Sequence, residues 1–379
     1  MNGDKMTERT VSREDVDKAL KWAEFVKNNL DKFREYLDFA IEFLKQASLI
    51  SSHYDDNALY SFFTKDSAKY FYDLARSIGD EIRAKKFEEI IKGTKEIEKQ
   101  RKWDWTREQA SKEWSSFVKE NEEKFIRLIY FLKNELQKVG SDETMYAARI
   151  IYNMAYSYED FPRHYAEFEW KQFLYDSRDK FKGLLDFAFK FLEKASLISS
   201  HYDEGEFFSS FVRNIGTYFY NLAGMIENEA RAKGDEASAK EFEEIRNKIV
   251  KLRGEDEIAK QLRDKAPATK IEKIRKETIE IVKQRKEWDW TEEQASKEWY
   301  GFVKENVGKF GELLNFLEYK LQPKAESIKA ESINPNFADE TNKCVDIIYD
   351  EAGLYWSFKE GMALYELLFD LGIIKRRGK

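Results

Sequence analysis

Apolar residues recur at alternating steps of four and three along much of the chain, which is the spacing of one buried helix face. The clearest stripe consists of Phe33, Leu37, Ala40, Leu44 and Ala47. It predicts a long helix with one apolar and one polar face. The alternation with period two that indicates β-strands does not compete with it anywhere in the sequence. We therefore predict an all-α fold.

The same stripe returns 148 residues later. The segment FLKQASLISSHYD, from Phe43, is matched by FLEKASLISSHYD from Phe191, and KQRKWDWTREQASKEW, from Lys99, is matched by KQRKEWDWTEEQASKEW from Lys283. Similarity at a fixed internal spacing is the signature of a repeated structural unit. We predict two tandem copies of a roughly five-helix bundle, related by internal pseudo-symmetry. The predicted domains are residues 1–161 and 162–379.

The spacing between matched positions grows along the chain, so the second copy carries insertions. His53 and His201 are 148 residues apart, whereas Trp103 and Trp288 are 185 apart. The segment DETMYAARIIY is separated by 197 residues from its match, DETNKCVDIIY. We predict a charged helical insertion near 246–276 and a loop near 323–338, where two of the four prolines lie.

Start and stop signals predict where the later helices of each copy lie. Thr106 with Gln109, and Thr291 with Gln294, form Thr-x-x-Gln capping boxes, which predict the start of a fourth helix. A fifth helix is expected to stop at Pro162, because proline cannot donate a hydrogen bond to a continuing helix.

Composition narrows the class of protein. The chain has 379 residues, of which 36% are charged, with a net charge of −7. The abundance of Lys and Glu is typical of thermophile proteins. A single cysteine excludes an intramolecular disulfide, and no apolar run reaches the roughly 18 residues of a membrane span. We expect a cytoplasmic protein that does not contact a membrane.

The repeated SSHYD segments offer the main catalytic alternative. His53 with Asp55, and His201 with Asp203, could form a base and its orienting carboxylate. The competing interpretation places each His at the negative end of a helix and lets each Asp cap the next helix, and we favour it. No nucleophile, zinc-spaced ligand set or phosphate-binding glycine loop accompanies them. We therefore predict no catalytic residue, no metal ligand and no cofactor, while an enzyme or metal site at SSHYD stays a third hypothesis.

The WDWT segments are aromatic and could stack on a base or a peptide. We expect Trp105 and Trp290, which precede the capping threonines, to pack on the first helical turn as a staple. Trp103 and Trp288 are the candidates for exposed aromatic residues.

The insertion has eleven basic and five acidic residues between 246 and 276, a net charge of +6 in an acidic protein. This asymmetry suits RNA or DNA phosphates, an acidic protein partner, or simply a solvated helical hairpin. The candidate binding residues, including two from the C-terminal tail, are Lys248, Lys251, Arg253, Arg263, Lys265, Lys273, Arg275, Arg376 and Arg377.

The sequence thus favours a non-enzymatic interaction or scaffold protein that binds or bridges macromolecular partners through its repeated units. The alternative is an RNA- or ribonucleoprotein-binding protein that uses the basic insertion and tail. Both hypotheses imply a macromolecular partner, and neither fixes the oligomeric state.

Overall fold

A computed structural model describes residues 12–139, 142–203, 207–252, 289–329 and 336–354. These residues form helices joined by short turns, with no strand among them, so the predicted all-α class is confirmed. The chain divides into two compact units, residues 1–165 and 166–379. The division predicted after residue 161 stays a prediction. No helix in the described part of the chain has the length and apolar character needed to cross a membrane.

The first unit is built from six helices and the start of a seventh within its described residues. They are α1 (Arg13–His53), α2 (Leu59–Ser77), α3 (Glu81–Lys99), α4 (Arg107–Glu120), α5 (Glu122–Tyr130), α6 (Asp142–Ala155) and α7 (Phe161–Asp176). A π-helical turn, Phe131–Glu135, extends α5. The prediction that a helix stops at Pro162 is wrong: α6 already ends at Ala155, and Pro162 is the second residue of α7, where its missing N–H costs nothing.

The described helices of the second unit follow the end of α7. They are α8 (Arg178–His201), α9 (Phe207–Ala232), α10 (Glu236–Leu252), α11 (Glu292–Glu305), α12 (Val307–Phe316), α13 (Gln322–Lys329) and α14 (Phe337–Leu354). A π-helical turn, Leu317–Leu321, extends α12. Residues 322–329 are therefore helical where the sequence predicted a loop, because Pro323 occupies the first turn of α13 instead of ending a helix.

The apolar stripe of α1 forms the centre of the first core, as predicted. All five of its residues are at most 1% exposed. Aromatic rings fill the space around it, and Phe43 contacts Phe63 and Phe71 of α2 and Phe125 of α5 at ring-centroid distances of 5.5–6.0 Å. The abundance of phenylalanine is thus used for contacts between helices.

Two asparagines interrupt the helical backbone of the first unit. Asn29 has φ −122° and ψ 16°, and its Nδ2 donates to the carbonyl of Phe25, which kinks α1. Asn121 has φ −114° and ψ 20°, and it separates α4 from α5 by the same contact to Phe117. Asparagine competes for the backbone in this way because its short amide reaches a carbonyl one turn earlier.

Both predicted capping boxes are present. In each, the threonine Oγ1 accepts from the glutamine N–H and the glutamine Oε1 accepts from the threonine N–H. They fix the residues at which α4 and α11 begin, directly after Thr106 and Thr291.

The first residues of the predicted insertion belong to the second core. Arg246 and Ile249 lie in α10, where Ile249 is fully buried. Arg246 donates to Glu227 and to the Tyr220 hydroxyl, both at 2.6 Å, and its guanidinium lies against Gly224, where a Cβ would meet it at 3.3 Å. Arg246 is therefore a structural residue, and the part of the predicted insertion after residue 252 lies outside the described residues.

Candidate functional site

The candidate site of the first unit lies where α1 ends, beside the loop that leads into α4. The loop runs along the last turn of α1: the N–H of Lys102 donates to the Ser52 carbonyl at 2.9 Å, and that of Trp105 donates to the His53 carbonyl at 3.4 Å. Carbonyl groups at a helix end have no partner within the helix. The loop of residues 100–106, called the WDWT loop below, supplies these partners, and the same hydrogen bonds hold it in place.

Asp55 is the buried anchor of this site. Its carboxylate accepts from the N–H groups of Tyr60 and Ser61 at the start of α2, at 2.7 and 3.2 Å. It also accepts from the Ser51 hydroxyl and from Arg101 Nη2, the latter at 2.6 Å. Capping of the following helix by this aspartate is thus confirmed. With these four donors around it, Asp55 is not the carboxylate partner of His53.

His53 pairs instead with an aspartate of the WDWT segment. Its Nδ1 donates to Asp104 at 2.7 Å, and its ring stacks on Trp105 with centroids 4.4 Å apart and an interplanar angle of 12°. The hydrogen bond from His53 lowers the pKa of the Asp104 carboxyl. Trp105 thus packs on the last turn of α1, whereas its predicted packing on the first turn of α4 stays a prediction.

Trp103 is the exposed aromatic residue of the loop. It is 56% exposed and its φ is +52°, in the left-handed region that a bulky side chain rarely adopts. The Arg101 guanidinium lies 5.6 Å from the centre of its ring, and Tyr54 meets the ring edge-on at 6.3 Å. Arg101 thus connects the buried Asp55 carboxylate to an indole at the surface.

The second unit carries matching contacts at the end of α8. His201 lies 2.9 Å from Asp289 and stacks on Trp290 at 4.5 Å and 11°. Asp203 accepts from the N–H of Phe208 at 2.7 Å and from that of Ser209 at 3.1 Å. Among the described residues, the sequence match is therefore accompanied by the same contacts of the histidine and the aspartate in both units.

No known protein family, curated protein or solved structure matches this chain. The inference of function consequently depends on the chemistry of its own residues.

A histidine held by a carboxylate is the arrangement of a general base, but the surroundings favour packing. Trp105 covers one face of the His53 ring, and only 15% of that side chain is exposed. The third histidine, His164, is paired with Glu122 at 2.7 Å. Within the described ranges, no three His, Cys, Asp or Glu side chains are grouped to hold a metal ion.

Two of the predicted nucleic-acid contacts lie on α10. Lys248 lies 5.9 Å from the ring centre of Phe189, and Lys251 is exposed. The remaining candidates, together with the surface candidate Trp288, lie outside the described residues: Arg253, Arg263, Lys265, Lys273, Arg275, Arg376 and Arg377. Only Lys248 and Lys251 of this set can therefore be placed, and the basic cluster stays a prediction.

Sequence reasoning missed two parts of the site. It paired His53 with the nearer aspartate in sequence, although the aspartate between the two tryptophans of each copy was the available signal. It also missed the exposed apolar residues on the neighbouring helix ends. Leu49 on α1, and Leu59 and Phe62 on α2, are 48%, 53% and 56% exposed. A helical apolar pattern alone does not show which of its apolar residues are exposed in the folded protein.

Proposed function

We propose that this protein is a non-enzymatic interaction protein that binds a protein partner through the WDWT loop of its first unit. The observation that carries the proposal is Trp103, a large aromatic ring that is kept exposed in a backbone conformation unfavourable to it. Strain of this kind persists where the surrounding structure enforces it, and it clusters at functional positions.

The neighbours of Trp103 suit a protein interface. Tryptophan, tyrosine and arginine are the residues most enriched among those that dominate binding energy, and Arg101 and Tyr54 contact the indole directly. Arg101 is itself fixed by the buried Asp55, so the ring is oriented before a partner arrives. A contact that is already ordered loses little side-chain entropy on binding.

We further propose that the two units are copies of one helical bundle, which would give the chain two related surfaces for bridging partners. Support comes from the paired contacts of His53 and His201 and from Leu49 and Leu197, which the sequence repeat matches and which are both 48% exposed. Both units have a histidine stacked on a tryptophan, and both have an aspartate that accepts from the N–H groups of the next helix.

The direct test is affinity capture from a lysate of the native organism, at equal protein concentration, with quantitative mass spectrometry. Three forms are compared: the wild type, Trp103→Ala and the control Ile82→Ala, which removes a residue on α3 that is 73% exposed. Loss of a dominant interface residue costs at least about 2 kcal/mol, or about thirtyfold in affinity. We expect Trp103→Ala to lose a protein partner that Ile82→Ala retains. Equal capture by all three forms would refute the proposal.

The RNA-binding alternative is separated within the same experiment. Ribonuclease treatment and a salt titration are added, because binding through phosphate contacts weakens steeply as salt rises. Capture that requires RNA and is unaffected by Trp103→Ala would favour the basic insertion and tail over the WDWT loop. A cytoplasmic site of action belongs to the proposal, consistent with the single cysteine, Cys344, which is buried.

A further inference from the structure

The first unit contains an open cleft away from the WDWT loop. It has a volume of about 420 Å³ and lies among the N-terminal part of α1, α2, the turn after α5 and the start of α6. Trp22, Tyr70 and Tyr146 supply aromatic surface, and Leu74 and Leu136 supply aliphatic surface. The Tyr70 hydroxyl donates to Thr144 at 3.2 Å, which fixes the orientation of its ring. The volume is in the usual range for small-molecule sites.

The polar lining of this cleft is predominantly acidic. Asp66 and Asp73 of α2 and Glu143 of α6 line it, against one cation, Lys69. Three carboxylates and one ammonium give the lining a formal charge of −2, which favours a cationic ligand over an anionic one. Aromatic rings beside carboxylates also suit an organic cation, because the ring faces attract positive charge.

The matching place in the second unit is filled by the chain itself. The sequence repeat pairs Trp22 with Trp170 and Tyr70 with Tyr218. The ring of Phe337 packs against both, with its centroid 5.6 Å from Trp170 and 5.6 Å from Tyr218. The interplanar angle to Tyr218 is 14°, so these two rings are stacked. Phe337 is 2% exposed. It shows that a phenyl ring fits between a tryptophan and a tyrosine so placed.

The sequence differs between the units at the positions that give the open cleft its charge. At a separation of 148 residues, Asp66 corresponds to Asn214 and Asp73 to Asn221. At the 197-residue separation of the α6 and α14 segments, the sequence pairs Phe337 with Gly140, which has no side chain. The unit with the filled cleft thus lacks two carboxylates that the unit with the open cleft has.

We propose that the cleft of the first unit binds a small aromatic amine. The ring of the ligand takes the place that Phe337 takes in the second unit, against Trp22 and Tyr70, and its ammonium faces Asp66 and Asp73. This site is separate from the protein-binding surface at Trp103 and does not depend on that proposed function.

Isothermal titration calorimetry with 2-phenylethylamine tests the proposal on the full chain, with 3-phenylpropionate and benzyl alcohol as anionic and neutral probes. We expect one site per chain for the amine and an affinity at least tenfold higher than for either other probe. Absence of amine binding, or equal affinity for the three probes, would overturn the proposal.

Variants then locate the site. Asp66→Asn combined with Asp73→Asn should weaken amine binding at least tenfold and leave benzyl alcohol binding unchanged. The matched control, Glu88→Gln with Glu89→Gln, makes the same change of net charge on α3, outside the cleft, and should leave amine affinity unchanged. An equal loss of amine affinity in both double variants would show that the acidic protein attracts cations in general. It would refute a specific site in the cleft.

A third variant addresses the aromatic part without endangering the core. Tyr146 is 54% exposed, so Tyr146→Ala should leave the fold intact by circular dichroism. It should weaken amine binding about threefold or more, since the cleft loses one of the three aromatic rings that line it. Trp103→Ala should not change amine affinity, because it alters a different surface. A loss with Trp103→Ala, or none with Tyr146→Ala, would place the amine elsewhere.

Discussion

The strain at Trp103 predicts that glycine at this position is better tolerated than alanine. Both substitutions remove the indole, together with its contacts to Arg101 and Tyr54. They differ in the backbone, because the loop holds position 103 at φ +52°. Alanine retains the steric conflict of an L-residue in the left-handed region, whereas glycine adopts that region freely.

Two opposing effects determine the expected difference in unfolding free energy between Trp103→Gly and Trp103→Ala. An L-residue in the left-handed conformation costs about 1–2 kcal/mol, which Trp103→Gly recovers and Trp103→Ala does not. Glycine has more freedom in the unfolded chain, and this costs the glycine variant about 0.4–1 kcal/mol. The glycine variant should therefore be more stable than the alanine variant by about 0.5–1 kcal/mol. In a unit of this size, that corresponds to a melting temperature about 2 °C higher.

Thermal and urea unfolding followed by circular dichroism measure this difference. The control is the same pair of substitutions at Lys85, an exposed residue inside α3. There, glycine should be less stable than alanine by about 1 kcal/mol, the ordinary helix penalty. The difference in stability between the glycine and alanine variants should thus have opposite signs at positions 103 and 85. If Trp103→Gly were the less stable variant of its pair, the argument that the backbone is strained would fail.

Local sequence signals predicted much of the fold and part of the site. The stripe through Phe33 and Leu44 identified the buried face of α1, and the Thr106 capping box identified the start of α4, because periodicity and caps act within a few residues. The capping role of Asp55 followed from its place between two helices. Such features depend on neighbours in the sequence, so a single chain reveals them.

The rest depended on contacts between distant segments. The pairing of His53 with Asp104 requires the loop before α4 to return to the end of α1, which no local pattern specifies. The position of Arg246 inside the second core depends on Glu227, 19 residues earlier, so a count of basic residues could not separate it from a surface run. The helix break at Asn121 depends on one amide that reaches the Phe117 carbonyl, which an apolar pattern does not reveal.

Three further predictions concern the same loop and its anchor. Ala58 precedes α2 at φ +57°, so Ala58→Gly should leave stability unchanged or raise it by up to about 1 kcal/mol in urea unfolding, and a loss above about 1 kcal/mol would contradict the strain. Asp55→Ala removes a helix cap and leaves the guanidinium of Arg101 buried without its carboxylate, so it should cost about 3 kcal/mol in the same assay. The exposed neighbour Asp56→Ala is the control, and an equal effect of both would refute the anchor. His53→Phe keeps the stack on Trp105 and removes the hydrogen bond to Asp104, so the Asp104 carboxyl should titrate at higher pH by NMR. In the wild type, the lowered pKa of Asp104 stabilises the fold above about pH 4, and this contribution should fade as the pH falls through the lowered value. An unchanged Asp104 titration in His53→Phe would contradict the pairing.

The two units differ at positions that affect what each of them could bind. On the proposal that they are copies of one bundle, the conserved contacts are those that hold the loop, such as the stack of His201 on Trp290. The differing positions lie at the cleft, where Phe337 fills the second unit and carboxylates line the first. A ring that fills a cleft occupies volume that a ligand could occupy in a unit without that ring. On these proposals, the first unit would bind a small ligand at the place that the second unit fills with Phe337.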